Sequence, residues 1–125
     1  MKEKRKKCEI CGFDRVVDRC HLIPQSIADG VVGLRKYKGY RIKKNIICLC
    51  KNHHFLFDNY KLTEEEWMIV MPRFNDVWED VEMLQNSNLI PKTIVTKSEH
   101  KRKVKKVNKW LGIITDLFEK YGKTN

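Results

Sequence analysis

Asn45-Ile46-Ile47-Cys48-Leu49-Cys50-Lys51-Asn52-His53-His54-Phe55-Leu56-Phe57-Asp58 is the stretch around which the chain is organised. Cys50 and His53 are separated by two residues, the knuckle spacing that lets two ligands from one turn grip a tetrahedral zinc. His54 and Asp58 follow at i, i+4, so on a helix they project from one face, one turn apart. His53 and His54 are adjacent and on that helix point about 100° apart. One short segment can therefore serve two different metal sites. The apolar run Ile46-Ile47-Cys48-Leu49 reads as a buried strand, with Cys48 as a small core residue inside it. The local expectation is a strand over residues 46–50 leading into a ligand-bearing helix over 51 to about 60. Phe55 and Phe57 should anchor that helix on the sheet.

Working outward, Cys8-Glu9-Ile10-Cys11-Gly12 is a second knuckle, with Gly12 allowing the tight turn beyond the thiolates. Alone, one Cys-x-x-Cys is ambiguous between zinc, a redox pair and chance. Joined to Cys50-x-x-His53 it completes a four-ligand set for structural zinc. A thioredoxin-like dithiol would want its motif at a helix start after a strand, and no strand precedes Cys8. The chain has five cysteines, an odd count with metal-like spacings, which in a reducing compartment favours zinc over disulfides.

A chain of 125 residues makes one domain, or one domain with a helical extension. No window approaches the roughly 18 apolar residues of a membrane span. The basic start, Met-Lys-Glu-Lys-Arg-Lys-Lys, has no apolar core behind it and is not a secretory signal. The expectation is an intracellular protein, cytoplasmic if the source is a bacterium or phage, with no membrane partner. The net charge of +10 and pI near 9.5 call for a partner class. Nucleic acid comes first, because Lys and Arg contacts to phosphate dominate such binding. A merely basic protein and an anionic membrane surface are the other readings.

Residues 1–7 form a basic arm, a solvated terminus or a phosphate-contacting tail. Val16 to Ile23 reads as a strand or extended segment ended by Pro24, with His21 just before the pair Leu22-Ile23. Residues 24–44 make a long connection broken by Gly30, Gly33 and Gly39, with one helical turn over Ser26 to Asp29. Its later part interleaves bases with aromatics. Arg35, Lys36, Lys38, Arg41, Lys43 and Lys44 would meet phosphates there, with Tyr37 and Tyr40 packing on sugar or base; a solvated hairpin loop is the bland alternative. Thr63 to Glu66 is a capping box. The helix it opens carries Trp67, Val70, Met71, Phe74, Val77, Trp78, Val81 and Leu84, and Pro72 kinks or breaks it. Residues 86–91 form a linker. Ser98 should cap a last helix running to about Tyr121. Its stripe, Val104, Val107, Leu111, Ile114, Phe118 and Tyr121, suits core packing, or else a dimer interface. Its basic first half, with Lys97, Lys101, Arg102, Lys103, Lys105, Lys106 and Lys109, offers a second phosphate-binding surface, Lys101, Arg102 and Lys105 foremost, or a solvated face.

In chain order, then, come Cys8-x-x-Cys11, His21 at a strand end, Asn45 at a strand entry, and Cys50-x-x-His53-His54-x-x-x-Asp58. This pattern resembles the HNH endonuclease family, whose core is the ββα-metal fold, and its zinc-stapled branch in particular, over about residues 8–60. The words Cys20-His21-Leu22-Ile23-Pro24-Gln25-Ser26 resemble the family's His-Ile-x-Pro-x-Ser segment, and Phe57-Asp58 the Phe-Asp ending of one branch. The resemblance implies that His21 is the general base and that Asn45 braces the loop and orients it. It implies that His54 and Asp58 bind the catalytic divalent ion, Mg²⁺ or another. Cys8, Cys11, Cys50 and His53 match the structural zinc ligands. Many members carry Asp or His immediately before the base, as a metal ligand, where this chain has Cys20. A thiolate suits Mg²⁺ poorly, so Cys20 is expected to be a small buried residue. Asp18 lies at i−3 from His21, on the other side of a regular strand.

The residue types suit the chemistry independently. Phosphodiester hydrolysis needs a base, which His supplies near neutrality, and a Lewis acid, which a divalent cation supplies. The expectation is an α+β protein: a basic arm over 1–7, a ββα-metal HNH core with structural Zn²⁺ over 8–60, and a helical extension over 61–125 packing on the core. Its function would be metal-dependent endonuclease cleavage of double-stranded DNA, leaving 5′-phosphate and 3′-hydroxyl ends. Cutting both strands would favour a homodimer through the C-terminal stripe. The rivals are a non-catalytic zinc-stabilised DNA-binding module and a zinc-ribbon protein that binds no nucleic acid.

Overall fold

The structure, a computed structural model, describes residues 6–86 and 96–122. Most of the basic arm and of the linker after the capping-box helix therefore lie outside the described residues. The fold is α+β. Strands β1 (Val17–His21) and β2 (Ile46–Cys50) pair antiparallel, with Val17 opposite Cys50 and His21 opposite Ile46. Between them run helix α1 (Gln25–Gly30) and 3₁₀ turns over Val32–Tyr37 and Lys43–Asn45. Helix α2 (Lys51–Asp58) follows β2 directly, and α3 (Glu64–Val70), α4 (Trp78–Asn86) and α5 (Lys97–Leu117) complete the chain. Among the described residues no helix is long and apolar enough to cross a membrane.

The β2 strand is short because its sequence changes job at Cys50. Ile47 and Leu49 are fully buried on one face. Cys50 then becomes the N-cap of α2, its sulfur accepting from the His53 N–H. A two-stranded sheet is marginal in water by itself, and its edge needs cover. The first knuckle supplies that cover: Glu9 N–H donates to the Cys48 carbonyl, and the Glu9 carboxylate accepts from the Cys48 N–H. Cys48 is consequently half-buried beside the knuckle and not part of the core. Phe57 is buried against Trp67, but Phe55 is 62% exposed. Only one of the two expected anchors works, because positions 55 and 57 lie on opposite sides of a helix.

The C-terminal half joins the same apolar cluster. The capping box at Thr63 and Glu66 forms as expected. Pro72 sits in a 3₁₀ segment, Met71–Asp76, that separates α3 from α4. Arg73 from this segment pairs with Glu9 and donates to the Ile46 carbonyl, tying the extension to knuckle and sheet. Trp78 stacks on Phe118, ring centroids 3.8 Å apart. The cap of α5 is Thr96, which accepts from Glu99 N–H, and not Ser98. On the α5 stripe Val107, Leu111, Ile114 and Phe118 are buried, with Trp110 among them, so these side chains pack within one chain.

The connection over 24–44 is folded and not a hairpin loop. Tyr37, expected against DNA, is fully buried, and its hydroxyl donates to the Asp80 carboxylate of α4. Burial, then that carboxylate, pushes its phenol well above the usual tyrosine range. The bases around it stay on the surface: Arg35, Lys36, Lys38, Arg41, Lys43 and Lys44 are all exposed. Tyr37→Phe should lower stability by about 1–3 kcal/mol, since it leaves a buried acceptor poorly paired, and should leave DNA affinity unchanged. Denaturant unfolding and a DNA titration check both. Lost DNA affinity at unchanged stability would contradict the buried assignment.

Candidate metal and catalytic centre

Two sites lie at the two ends of α2. At its start, Cys8, Cys11, Cys50 and His53 bring their ligand atoms within 4.8 Å of one another. Cys11 and Cys50 sulfurs are 3.9 Å apart, and His53 Nδ1 lies 3.3 Å from Cys50 Sγ and 3.5 Å from Cys8 Sγ. Ligands at corners of a tetrahedron of about 2.1–2.3 Å radius sit at such separations, and three sulfurs with one imidazole is a zinc donor set. Gly12 at φ +79° closes the first knuckle, where its N–H donates to the Cys8 carbonyl. Burial opposes ionisation of Cys8. Backbone N–H groups of Cys11, Cys50 and Ile10 outweigh it and bring the thiol down to about 6, so it is a thiolate at neutral pH.

The other ring nitrogen of His53 meets a partner that the sequence reading missed. His53 Nε2 lies 2.6 Å from Glu66 Oε2, while Glu66 Oε1 accepts from the Thr63 N–H. One carboxylate therefore caps α3 and orients a candidate metal ligand. The Thr63 N–H first, and then His53, hold Glu66 below the usual carboxylate range. Carboxylate partners of this kind fix the tautomer of a ligating histidine and leave Nδ1 for the metal.

At the far end of α2, His54 Nδ1 lies 2.9 Å from Asp18 Oδ2 and His54 Nε2 lies 3.0 Å from Asp58 Oδ2. Asp18 is the second missed residue. It faces away from His21 along β1, as strand parity requires, but α2 covers that same face. His54, then Lys51, hold the Asp18 carboxyl below its usual range. With the Asp18 carboxylate accepting from Nδ1–H, Nε2 would be left to a cation shared with Asp58. Two donors about 3 Å apart match neighbouring corners of an octahedron with metal–ligand bonds of about 2.1 Å. Among the described residues no third His, Cys or acid completes this pair. A cation that keeps several waters, as Mg²⁺ does, fits such a sparse site.

His21 ends β1 beside this pair. Its Nε2 lies 3.0 Å from the Gly39 carbonyl. A carbonyl only accepts, so Nε2 carries the hydrogen and Nδ1 keeps a free lone pair. Tyr40 packs on the ring, centroids 4.8 Å apart. Gln25 Nε2 donates to the Lys38 carbonyl at 2.7 Å and steadies the same loop. Asn45, fully buried, clamps the chain just past His21: its Oδ1 accepts from the Ile23 N–H at 2.9 Å, and its Nδ2 faces the Ile23 carbonyl at 3.3 Å. Asn45 thus touches main chain and not the cavity.

A cavity of about 630 Å³ is lined by Cys20, His21, His54 and Asp58, with Tyr40, Tyr60 and Trp110 among its walls. Burial, then the carboxylates of Asp58 and Asp18, push the Cys20 thiol up to about 12, so it is a neutral buried group. Tyr60 takes φ 57° just past α2, a left-handed position usually held by glycine. Its ring is the gain for that strain. Of the cations expected to meet phosphate, Lys36 pairs with Asp80 and Lys38 with Asp29. Lys101, Arg102 and Lys105 are exposed on α5. Of the α5 bases Lys106 and Lys109 line the cavity, and Arg19, which was not expected there, lines it with them.

No curated protein and no solved structure matches the chain. Residues 8–63 match a family model described as HNH endonuclease. That span, a little under half of the chain, holds both knuckles, β1, His21, Asn45 and all of α2, and over it the chain is similar to HNH endonucleases.

Proposed function

We propose that the protein is a metal-dependent endonuclease that hydrolyses phosphodiester bonds of double-stranded DNA. The observation that supports this reading is that His21, held through Nε2 by the Gly39 carbonyl, lines one cavity with His54 and Asp58, whose Nε2 and Oδ2 lie 3.0 Å apart. His54 Nε2 and Asp58 would hold a divalent cation there, and such a cation supplies charge neutralisation for the scissile phosphate and the departing oxygen. His21 Nδ1 takes the proton from the attacking water, and the Gly39 carbonyl stabilises the imidazolium that results. Asn45 positions His21 by fixing the main chain at Ile23. The family resemblance implies 5′-phosphate and 3′-hydroxyl products. One such site cuts one strand per visit, so a double-strand break needs two visits or two copies.

Zinc on Cys8, Cys11, Cys50 and His53 is structural in this account. Its four ligands are used up, leaving no open position for a substrate. Binding energies of roughly 10–16 kcal/mol in comparable small zinc sites exceed what a two-stranded sheet contributes.

His21→Ala should cut the cleavage rate by roughly 10²–10⁴ with DNA affinity and thermal melt retained, measured on a labelled duplex with Mg²⁺ or Mn²⁺. A variant cutting at the wild-type rate would remove His21 from the mechanism. His54→Ala should lose divalent-metal dependence together with activity. Purified protein should carry one zinc per chain by elemental analysis, and a strong chelator should abolish its cooperative melt. An unchanged melt in fully stripped protein would contradict the structural role.

A further inference from the structure

The family match ends at residue 63, whereas α5 begins at Lys97. Yet Lys106, Lys109, Trp110, Ile113 and Ile114 of α5 line the same cavity as His21, His54 and Asp58. Trp110 and Ile114 are buried, which pins this part of α5 to the core and fixes where its neighbours point. Lys106 and Lys109 are exposed and stand at i, i+3, on one face and about 4.5 Å apart along the axis.

We propose that Lys106 and Lys109 clamp the phosphate backbone of a DNA strand as it passes His21, making α5 one wall of the cleavage site. The proposal rests on the DNA-cleaving function proposed above. Charge supports it. Asp58 is the only acid lining the cavity among the described residues, against Arg19, Lys106 and Lys109. A polyanion entering there needs that positive wall, because a cation at His54 and Asp58 neutralises only what it touches. Pairing supports it too. Lys36, Lys38, Lys51 and Lys120 are held by carboxylates, while Lys106 and Lys109 form no ion pair among the described residues. Among the described residues, then, no carboxylate competes with phosphate for their ammonium groups. Lys97 and Lys101 are exposed and do not line the cavity; they lie about 140–180° around α5 from Lys106 and about 80–120° from Lys109, off the cavity face.

That geometry provides a matched control. K106Q/K109Q and K97Q/K101Q each remove two charges from one helix. Duplex DNA binding is measured by fluorescence anisotropy over a salt series without added divalent cation, and cleavage at saturating DNA with Mn²⁺. Circular dichroism confirms that both variants are folded. K106Q/K109Q should lower the slope of log affinity against log salt by about 2 and slow cleavage by roughly tenfold or more. K97Q/K101Q should retain the wild-type cleavage rate at saturation. Equal losses in the two variants would reduce α5 to a diffuse positive field and overturn the clamp, as would wild-type protein with no DNA affinity. Wild-type protein that binds with the Lys106/Lys109-dependent slope but cuts with no metal would uphold the clamp and refute the nuclease function.

Discussion

Three sulfurs and an imidazole nitrogen drawn within 4.8 Å of one another are the constraint on which the rest of the structure depends. The two knuckles that supply them are some forty residues apart in sequence, so their meeting closes a long loop. That loop contains both strands, α1 and the whole folded connection. The closure costs chain entropy that a two-stranded sheet cannot repay. A tetrahedral zinc can. Once the knuckles meet, Glu9 covers the edge of β2, Cys50 caps α2, and the direction of α2 is set. The Glu66 carboxylate then couples this cluster to α3.

The direction of α2 is what makes a second site. His53 turns to the knuckles, and its neighbour His54 turns about 100° away, onto Asp18 and Asp58. The opposite wall is fixed by main chain. Asn45 grips Ile23, and the Gly39 carbonyl takes one His21 nitrogen and frees the other. Each of these three imidazoles is thus held by a partner on one of its ring nitrogens. The pattern is the same at His53 with Glu66, His54 with Asp18, and His21 with Gly39.

The site was legible where it is local. Knuckle spacing, the i, i+4 pair and the capping box are all set within a few residues, and the structure brings together Cys8, Cys11, Cys50 and His53 as the spacing required. His21 and Asn45 could be named only through the family pattern, since nothing local marks a lone histidine or asparagine. What stayed hidden depends on contacts distant in sequence. Asp18 was set aside because it faces away from His21, and strand parity cannot say which face α2 will cover. Tyr37 passed for a DNA contact because its partner, Asp80, lies 43 residues on. Cys48 passed for core because the knuckle beside it is not visible in its own strand. Lys106 and Lys109 were lost in a run of bases that only the packing of Trp110 and Ile114 resolves.

The central claim is that His21, His54 and Asp58 make one metal-dependent cleavage site. The most direct measurement is incubation of supercoiled plasmid with zinc-loaded protein, in parallel, with no added cation, Mg²⁺, Mn²⁺, Ni²⁺ or excess EDTA. The account predicts nicked, then linear, plasmid with at least one divalent cation and none with EDTA, and product ends bearing 5′-phosphate. Cutting that persists in EDTA, or folded, zinc-loaded and DNA-bound protein that leaves plasmid and other duplexes intact under every cation, would contradict it.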